Sequence, residues 1–248
     1  MTIMQVEGLT GGYSRNRPVL HDISFAVRPG EMVGMIGLNG AGKSTTMKHL
    51  LGLLLPHSGS IQIQGVTLEE QPDTYRSAYA YVPEHPLVFE ELTVREHLQL
   101  TAMAYNMKPD LAERRVQQLL EEFRMGPKAD VFPAHLSKGM QQKLMIMNAF
   151  LVKPKLYLID EPFLGLDPLG IRSLLEQLQE VRREGAGILM SSHILATLEQ
   201  YCDRYIVIHE GRIRASGTLD EIRSAWGSKA GEHLESLFYR IVDGAEQP

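Results

Sequence analysis

Met32-Val33-Gly34-Met35-Ile36-Gly37-Leu38-Asn39-Gly40-Ala41-Gly42-Lys43-Ser44 is the stretch on which the fold of this chain turns. Its first five residues form a continuous apolar run, the pattern of a strand buried on both faces of a parallel sheet. The next eight satisfy G-x-x-x-x-G-K-[ST], and Lys43 to about Leu53 reads as a helix. Glycines in such a loop let backbone N–H groups wrap an anion, the following helix directs its positive end at it, and a lysine adds a point charge. The expectation is a phosphate cradle formed by Gly37, Leu38, Asn39, Gly40, Ala41, Gly42 and Thr45, with Lys43 near the terminal phosphates and Ser44 ligating Mg²⁺.

Outward from that loop, the first third reads as strands, Met4 to Leu9, Val19 to Val27 and Ser60 to Ile63, divided by the turn signals Gly11-Gly12, Pro29-Gly30 and His57-Ser58-Gly59. After Pro83, Thr93 to Tyr105 and Asp110 to Phe123 carry apolar residues at helical spacing, and Thr93 stands three residues before Glu96 as in a capping box. From Gly139 the pattern becomes helix Met140 to Val152, strand Leu156 to Ile159, helix Leu169 to Glu184 and strand Ile188 to Ser191, which implies right-handed parallel βαβ units. A hairpin is expected from Tyr205 to Ala215 around Glu210-Gly211, and an amphipathic helix from Glu232 to Ile241. The expected architecture is the α/β fold of a P-loop NTPase, with an antiparallel β subdomain, a parallel-sheet core and a helical subdomain inserted at about 87–152. One domain would cover 1–226 and a tail 227–248.

The strand Leu156 to Ile159 ends in Asp160-Glu161. If it neighbours the strand ahead of the phosphate loop, both carboxylates arrive beside the phosphates. Asp160 then supports the Mg²⁺ shell, and Glu161 polarises the water that attacks a γ-phosphate.

Composition narrows the function classes. With 248 residues, 44% hydrophobic and 22% charged, the chain suits a globular fold and neither disorder nor a coiled coil. Its 25 Lys and Arg against 30 Asp and Glu give a net charge of −5, and without a basic block no nucleic-acid partner is expected. The longest apolar runs, such as Leu50 to Leu55, fall far short of the about 20 residues that span a bilayer. Met1 to Leu9 shows no secretory signal pattern, and a single cysteine, Cys202, fits a reducing cytosol.

Leu136-Ser137-Lys138-Gly139-Met140-Gln141-Gln142-Lys143 resembles the signature motif, commonly L-S-G-G-Q, of the ATP-binding cassette (ABC) family. Ser137 and Gly139 match it, whereas Lys138 and Met140 depart from it. Four further elements of that family occur in its order: Tyr13, Glu84 after a strand, Leu164-Gly165-Leu166-Asp167 after the carboxylates, and His193 after the next strand. The likeness runs from about Met1 to Leu219 and leaves the tail largely outside. It implies an ATPase using ATP and Mg²⁺, with Tyr13 stacking on adenine, His193 sensing the γ-phosphate and Asp167 touching an opposite subunit. Glu84, where most members carry glutamine, is expected on the metal side. A serine hydroxyl and a glycine N–H opening a helix form a second anion site, which one chain cannot apply to its own nucleotide. The resemblance therefore implies a head-to-tail pair with a second copy of the chain.

The same likeness extends to export-type ATPases whose membrane subunit is a separate chain, and implies peptides as cargo and a location at the cytoplasmic face of the membrane. Leu87, Val88 and Phe89, with Met103, Tyr105 and Met107, would form the groove for that integral membrane partner. Two other readings are a soluble single-cassette ABC ATPase in a non-transport assembly and a nucleotide kinase. A kinase has no use for the signature, Asp167 or His193.

Overall fold

Two sheets organise the chain in the computed structural model, which describes residues 2–228 and 231–244. Strands β1 (Met4–Gly11), β2 (Leu20–Val27) and β4 (Ser58–Ile63) pair antiparallel in the order β2-β1-β4. The larger sheet runs β5 (Tyr79–Val82), β6 (Leu156–Asp160), β7 (Gly187–Ser191), β3 (Met32–Ile36), β8 (Arg204–His209) and β9 (Arg212–Gly217). All its pairings are parallel except β8 with β9. The order corrects one expectation: β6 does not neighbour β3, because β7 lies between them.

Side-chain alternation in β3 divides the interior into two cores. Met32 and Ile36 face a core shared with Tyr157, Ile159, Ile188 and Met190, while Val33 and Met35 join Leu158, Leu189 and Ile206 under the antiparallel sheet. Every residue of β3, β6 and β7 is buried, which explains their unbroken apolar runs.

Helix α1 (Lys43–Leu50) follows the phosphate loop, and α2 (Pro72–Ser77) precedes β5. The inserted block contains α3 (Val94–Ala104), α4 (Pro109–Glu122) and α5 (Lys138–Leu151), packed through Leu98, Val116, Leu120, Leu144 and Phe150. Thr93 and Glu96 form the expected reciprocal cap of α3. Helix α6 (Pro168–Arg183) links β6 to β7, and α7 (Leu195–Tyr201) leads from β7 to β8. The chain continues through α8 (Leu219–Ala225) to α9 (Leu234–Val242). The amphipathic helix expected from Glu232 to Ile241 is α9. Its Leu234, Leu237, Phe238 and Ile241 enter the main core beside Leu198 and Trp226, and Glu199 of α7 accepts the Leu234 N–H at 2.8 Å. Residues 229–230 and 245–248 of the expected tail lie outside the described residues. Among the described residues no helix is long and apolar enough to cross a membrane.

The β8–β9 hairpin supports the phosphate loop from behind. Glu210 (φ 49°) and Gly211 (φ 69°) make its turn, as Glu-Gly between alternating strands led one to expect. The Gly211 N–H donates to the Ala41 carbonyl at 2.9 Å, and the Gly211 carbonyl accepts the His21 N–H at 2.8 Å. A Cβ at Gly211 would stand 1.8 Å from the Val19 carbonyl oxygen. Gly211→Ala is therefore expected to lose about 2 kcal/mol from backbone strain and overpacking. For a chain of this length that lowers Tm by roughly 4–8 °C, readable in thermal unfolding by circular dichroism.

Candidate nucleotide site

The phosphate loop bends back on itself at Gly42, whose φ of 116° is open to glycine and where a Cβ would lie 2.8 Å from Leu20 Cδ2. The loop tip at Leu38, Asn39 and Gly40 is exposed, while Ala41, Gly42, Lys43 and Thr45 are buried and Ser44 is exposed at the start of α1. Gly37 is half-buried against the Ile208 carbonyl of β8. Lys43 is 7% exposed and its ammonium donates to the Gly37 carbonyl at 2.6 Å, so its charge spans the inside of the loop. The loop thus folds around the lysine ammonium, with Ser44 exposed next to it at the start of α1.

At the end of β6, Asp160 is 4% exposed and accepts the Ser191 hydroxyl from the end of β7. Burial pushes its carboxyl above the usual range; the Ser191 hydrogen bond opposes that, the charges of Glu84 and Glu161 add to it, and Lys43 opposes it. Asp160 and Lys43 therefore feel one another although β7 separates their strands. The charges of Glu84 and Glu161 add to the penalty that burial sets on the Asp160 carboxylate, and oxygen ligands are what Mg²⁺ takes, usually with phosphate oxygens and water completing the shell. Among the described residues no group of three or more His, Cys, Asp and Glu could hold a metal by itself. Ser44, Asp160 and Glu84 are oxygen donors, the kind of ligand that Mg²⁺ takes together with phosphate oxygens.

Glu161 turns sharply out of β6 at φ 45°, a conformation that costs a non-glycine residue of order 1–3 kcal/mol. Ser191 holds the turn: the Glu161 N–H donates to its carbonyl at 3.1 Å and lies 3.2 Å from its hydroxyl oxygen. Glu161 Oε2 accepts the His193 backbone N–H at 3.1 Å and Nδ1 at 2.7 Å, so His193 carries its proton on Nδ1 and points Nε2 away from the carboxylate. Glu161 Oε1 has no hydrogen-bond partner among the described residues. Ser191 was not singled out from the sequence. Its signal is a lone hydroxyl closing an apolar strand at the sheet's carboxyl end, where ligands gather in parallel sheets.

Tyr13, just past β1, is 63% exposed. Lys48 of α1 donates to its hydroxyl at 3.0 Å and lies 5.0 Å from the ring centre, and that hydrogen bond lowers the phenol's pKa. The remaining expected residues form a separate group. Ser137 caps α5, accepting the Met140 N–H at 3.3 Å. Gly139 packs so tightly on the loop after β6 that a Cβ would sit 2.2 Å from the Gly165 carbonyl oxygen. Asp167 caps α6 through the Gly170 N–H at 2.7 Å and pairs with buried Lys143 of α5 at 3.1 Å; these contacts hold its carboxyl below the usual range. Ser137 and Gly139 therefore belong to the α5–Gly165–Asp167 corner and make no described hydrogen bond to the phosphate loop.

At the entrance to the inserted block, Leu87, Phe89 and Met103 are exposed and Tyr105 is partly so, while Val88 and Met107 lean into the block's core. His97 is buried beneath this corner: its Nε2 accepts the Phe89 N–H at 2.9 Å, and Nδ1 is 2.8 Å from the Thr93 carbonyl.

Comparison with known proteins agrees with this geometry. Residues 20–164 match the family described as ABC transporter. The chain is 56% identical to the ABC-type transporter ATP-binding protein EcsA of Bacillus subtilis, over 98% of this chain and 97% of that protein. It is 30% identical to the lipopolysaccharide export system ATP-binding protein LptB of Acidithiobacillus ferridurans, over 89% and 92% of the two chains. A solved structure described as the ATP binding subunit of an ABC transporter superposes with a TM-score of 0.94 at 53% identity, covering 97% of this chain and 99% of that one. The cradle, the carboxylates at the end of β6, the capped signature helix and these likenesses lead to one conclusion: the chain belongs to the ABC transporter family, as an ATP-binding subunit whose ATP hydrolysis is coupled to transport.

Proposed function

We propose that this chain powers an exporter by closing as a head-to-tail dimer over two ATP molecules. The observation that carries the reading is the separation of two anion sites: the phosphate loop with Lys43, Asp160 and Glu161, and the N-terminus of α5 with Ser137 and Gly139, which is built against the Asp167 loop. A second copy supplies the missing half of each site.

In each half, Tyr13 stacks on adenine while Lys43 and the loop amides hold the phosphates. Glu161 takes a proton from the attacking water at Oε1, the oxygen left free by His193. His193 reaches the γ-phosphate through Nε2; to donate there while Nδ1 stays on Glu161, its ring must carry a proton on each nitrogen. Ser44, Asp160 and Glu84 would hold Mg²⁺, which when bound offsets charge on the β- and γ-phosphate oxygens. Glu84→Gln is expected to raise the Mg²⁺ concentration for half-maximal hydrolysis by about tenfold, the worth of roughly 1.4 kcal/mol of charge attraction. Titration of phosphate release against Mg²⁺ checks this, and unchanged metal dependence and turnover would remove Glu84 from the metal's shell.

The exposed corner of Leu87, Phe89 and Tyr105, with Val88 behind it, docks an integral membrane subunit, and this places the chain peripherally at the cytoplasmic face. With EcsA among its relatives, we assign the chain a membrane partner resembling EcsB and, as cargo, peptides. Residues 1–226 then form the body of the ATPase domain, and α9 packs into its main core beside Leu198 and Trp226. Cysteines at Leu87 and Phe89 should crosslink to a multi-spanning protein in membranes from the native cell. Recovery of the chain only in a wholly soluble complex would instead favour a non-transport ABC ATPase.

A further inference from the structure

Helix α5 carries a polar group that the mechanism above does not use. Gln142 is 1% exposed, its Nε2 donates to the Pro83 carbonyl at 2.9 Å, and its Oε1 is buried without a hydrogen-bond partner. A buried, unpaired amide oxygen is costly, and a methionine or leucine would fill this place without that cost. The residues on either side in space give the amide its meaning. Pro83 immediately precedes Glu84, in the loop that serves the chain's own nucleotide. Gly139, one helical turn before Gln142, and Lys143, next to it, bind α5 to the Gly165–Asp167 loop, the part of the chain offered to the other subunit. Gln142 is thus a direct side-chain link between the two half-sites of one chain. The Glu84 N–H, the next donor along the loop, finds no acceptor among the described residues.

We propose that Gln142 is a positioning residue that couples the two nucleotide sites of the dimer. Its amide nitrogen holds the Pro83–Glu84 loop to the signature helix, and its spare oxygen takes the Glu84 N–H when ATP draws that loop inward. A donor and an acceptor on one planar group let the loop change register against α5 while staying attached to it. Filling of one phosphate loop is thereby passed to the α5 N-terminus that closes the other. An apolar side chain of the same volume would hold the helix in place but let the loop move without it.

The inference rests on the dimer reading, and its test separates the two. Phosphate release is measured against ATP concentration with the full-length chain, and equilibrium binding is followed with a fluorescent ATP analogue. Wild type should show a Hill coefficient well above 1, approaching 2 for two coupled sites. Gln142→Leu should bind the analogue within twofold of wild type while its Hill coefficient falls to about 1 and kcat drops about tenfold. Gln142→Met carries the same expectation should the leucine variant fold poorly, as thermal unfolding would show. Gln142→Glu, which keeps acceptors but loses the donor to Pro83, should lose cooperativity as well. A cooperative wild type with equally cooperative Leu, Met or Glu variants would overturn the role of Gln142 alone. A wild type that is itself non-cooperative and never dimerises with ATP would overturn the dimer reading together with it.

Discussion

Glu161→Gln should cut ATP turnover by about a hundredfold to a thousandfold while leaving ATP affinity within a few-fold of wild type. The substitution is nearly isosteric and keeps an oxygen that can accept the two His193 N–H groups now held by Oε2. It removes the basic oxygen that a water's proton would go to, and general-base assistance of this kind contributes about 10²–10⁴ in rate. Binding depends on other groups, the phosphate loop and Lys43 above all, so affinity should persist. The strained turn at Glu161 is held by Ser191 through the backbone, which the substitution does not alter, so stability should also be preserved. Single-turnover phosphate release beside equilibrium nucleotide binding checks both halves. Ordinary hydrolysis by this variant would move the general base to another residue.

Lys43→Ala should have the opposite signature, a loss of binding before chemistry. The ammonium is almost fully buried and its only described hydrogen bonds are to loop carbonyls, Gly37 at 2.6 Å and Leu38 at 3.4 Å. Charged hydrogen bonds are worth roughly 1.5–3 kcal/mol each, so losing this group's hold on the phosphates should weaken ATP binding by about ten- to a hundredfold. The effect should grow from ADP to ATP, because the proposed site sets the lysine toward the terminal phosphates. Titration calorimetry with both nucleotides checks the order. Equal, small losses for ADP and ATP would mean that Lys43 serves the loop's own shape and not the phosphates.

Which parts of this site could be read from the sequence follows from how locally each is encoded. The phosphate loop needed eight contiguous residues between a strand and a helix, and the structure builds it as read. The capping box at Thr93 and Glu96, the Glu210-Gly211 turn and the apolar runs of β3, β6 and β7 are equally local. The order of the strands is not, which is why β6 was expected beside β3 and β7 was found between them. Helices α2, α7 and α8, at six or seven residues each, are too short for a periodic signal and were not anticipated. Pairings across the chain were beyond reach for the same reason: Ser191 with Asp160, His193 with Glu161, Lys143 with Asp167 and Gln142 with Pro83 lie between 24 and 59 residues apart. Asp167 and Gly139 illustrate the gain. The sequence offered a contact to an opposite subunit and a motif match; the structure makes the two residues parts of one packed corner with α5.

That each nucleotide is served by the phosphate loop of one subunit and the signature turn of the other is tested most directly by mixing two inactive variants. Lys43→Ala disables the phosphate loop and leaves Ser137 intact. Ser137→Arg blocks the exposed start of α5, costs about 1 kcal/mol through the lost cap, and leaves the phosphate loop intact. Each alone should hydrolyse ATP at a few per cent of the wild-type rate or less. In an equal mixture, random pairing puts one complete composite site into half of the dimers, so activity should rise several-fold above the sum of the two components, with about a quarter of wild type as the ceiling that coupling between the sites lowers. A mixture no more active than the sum of its two components would contradict the shared site.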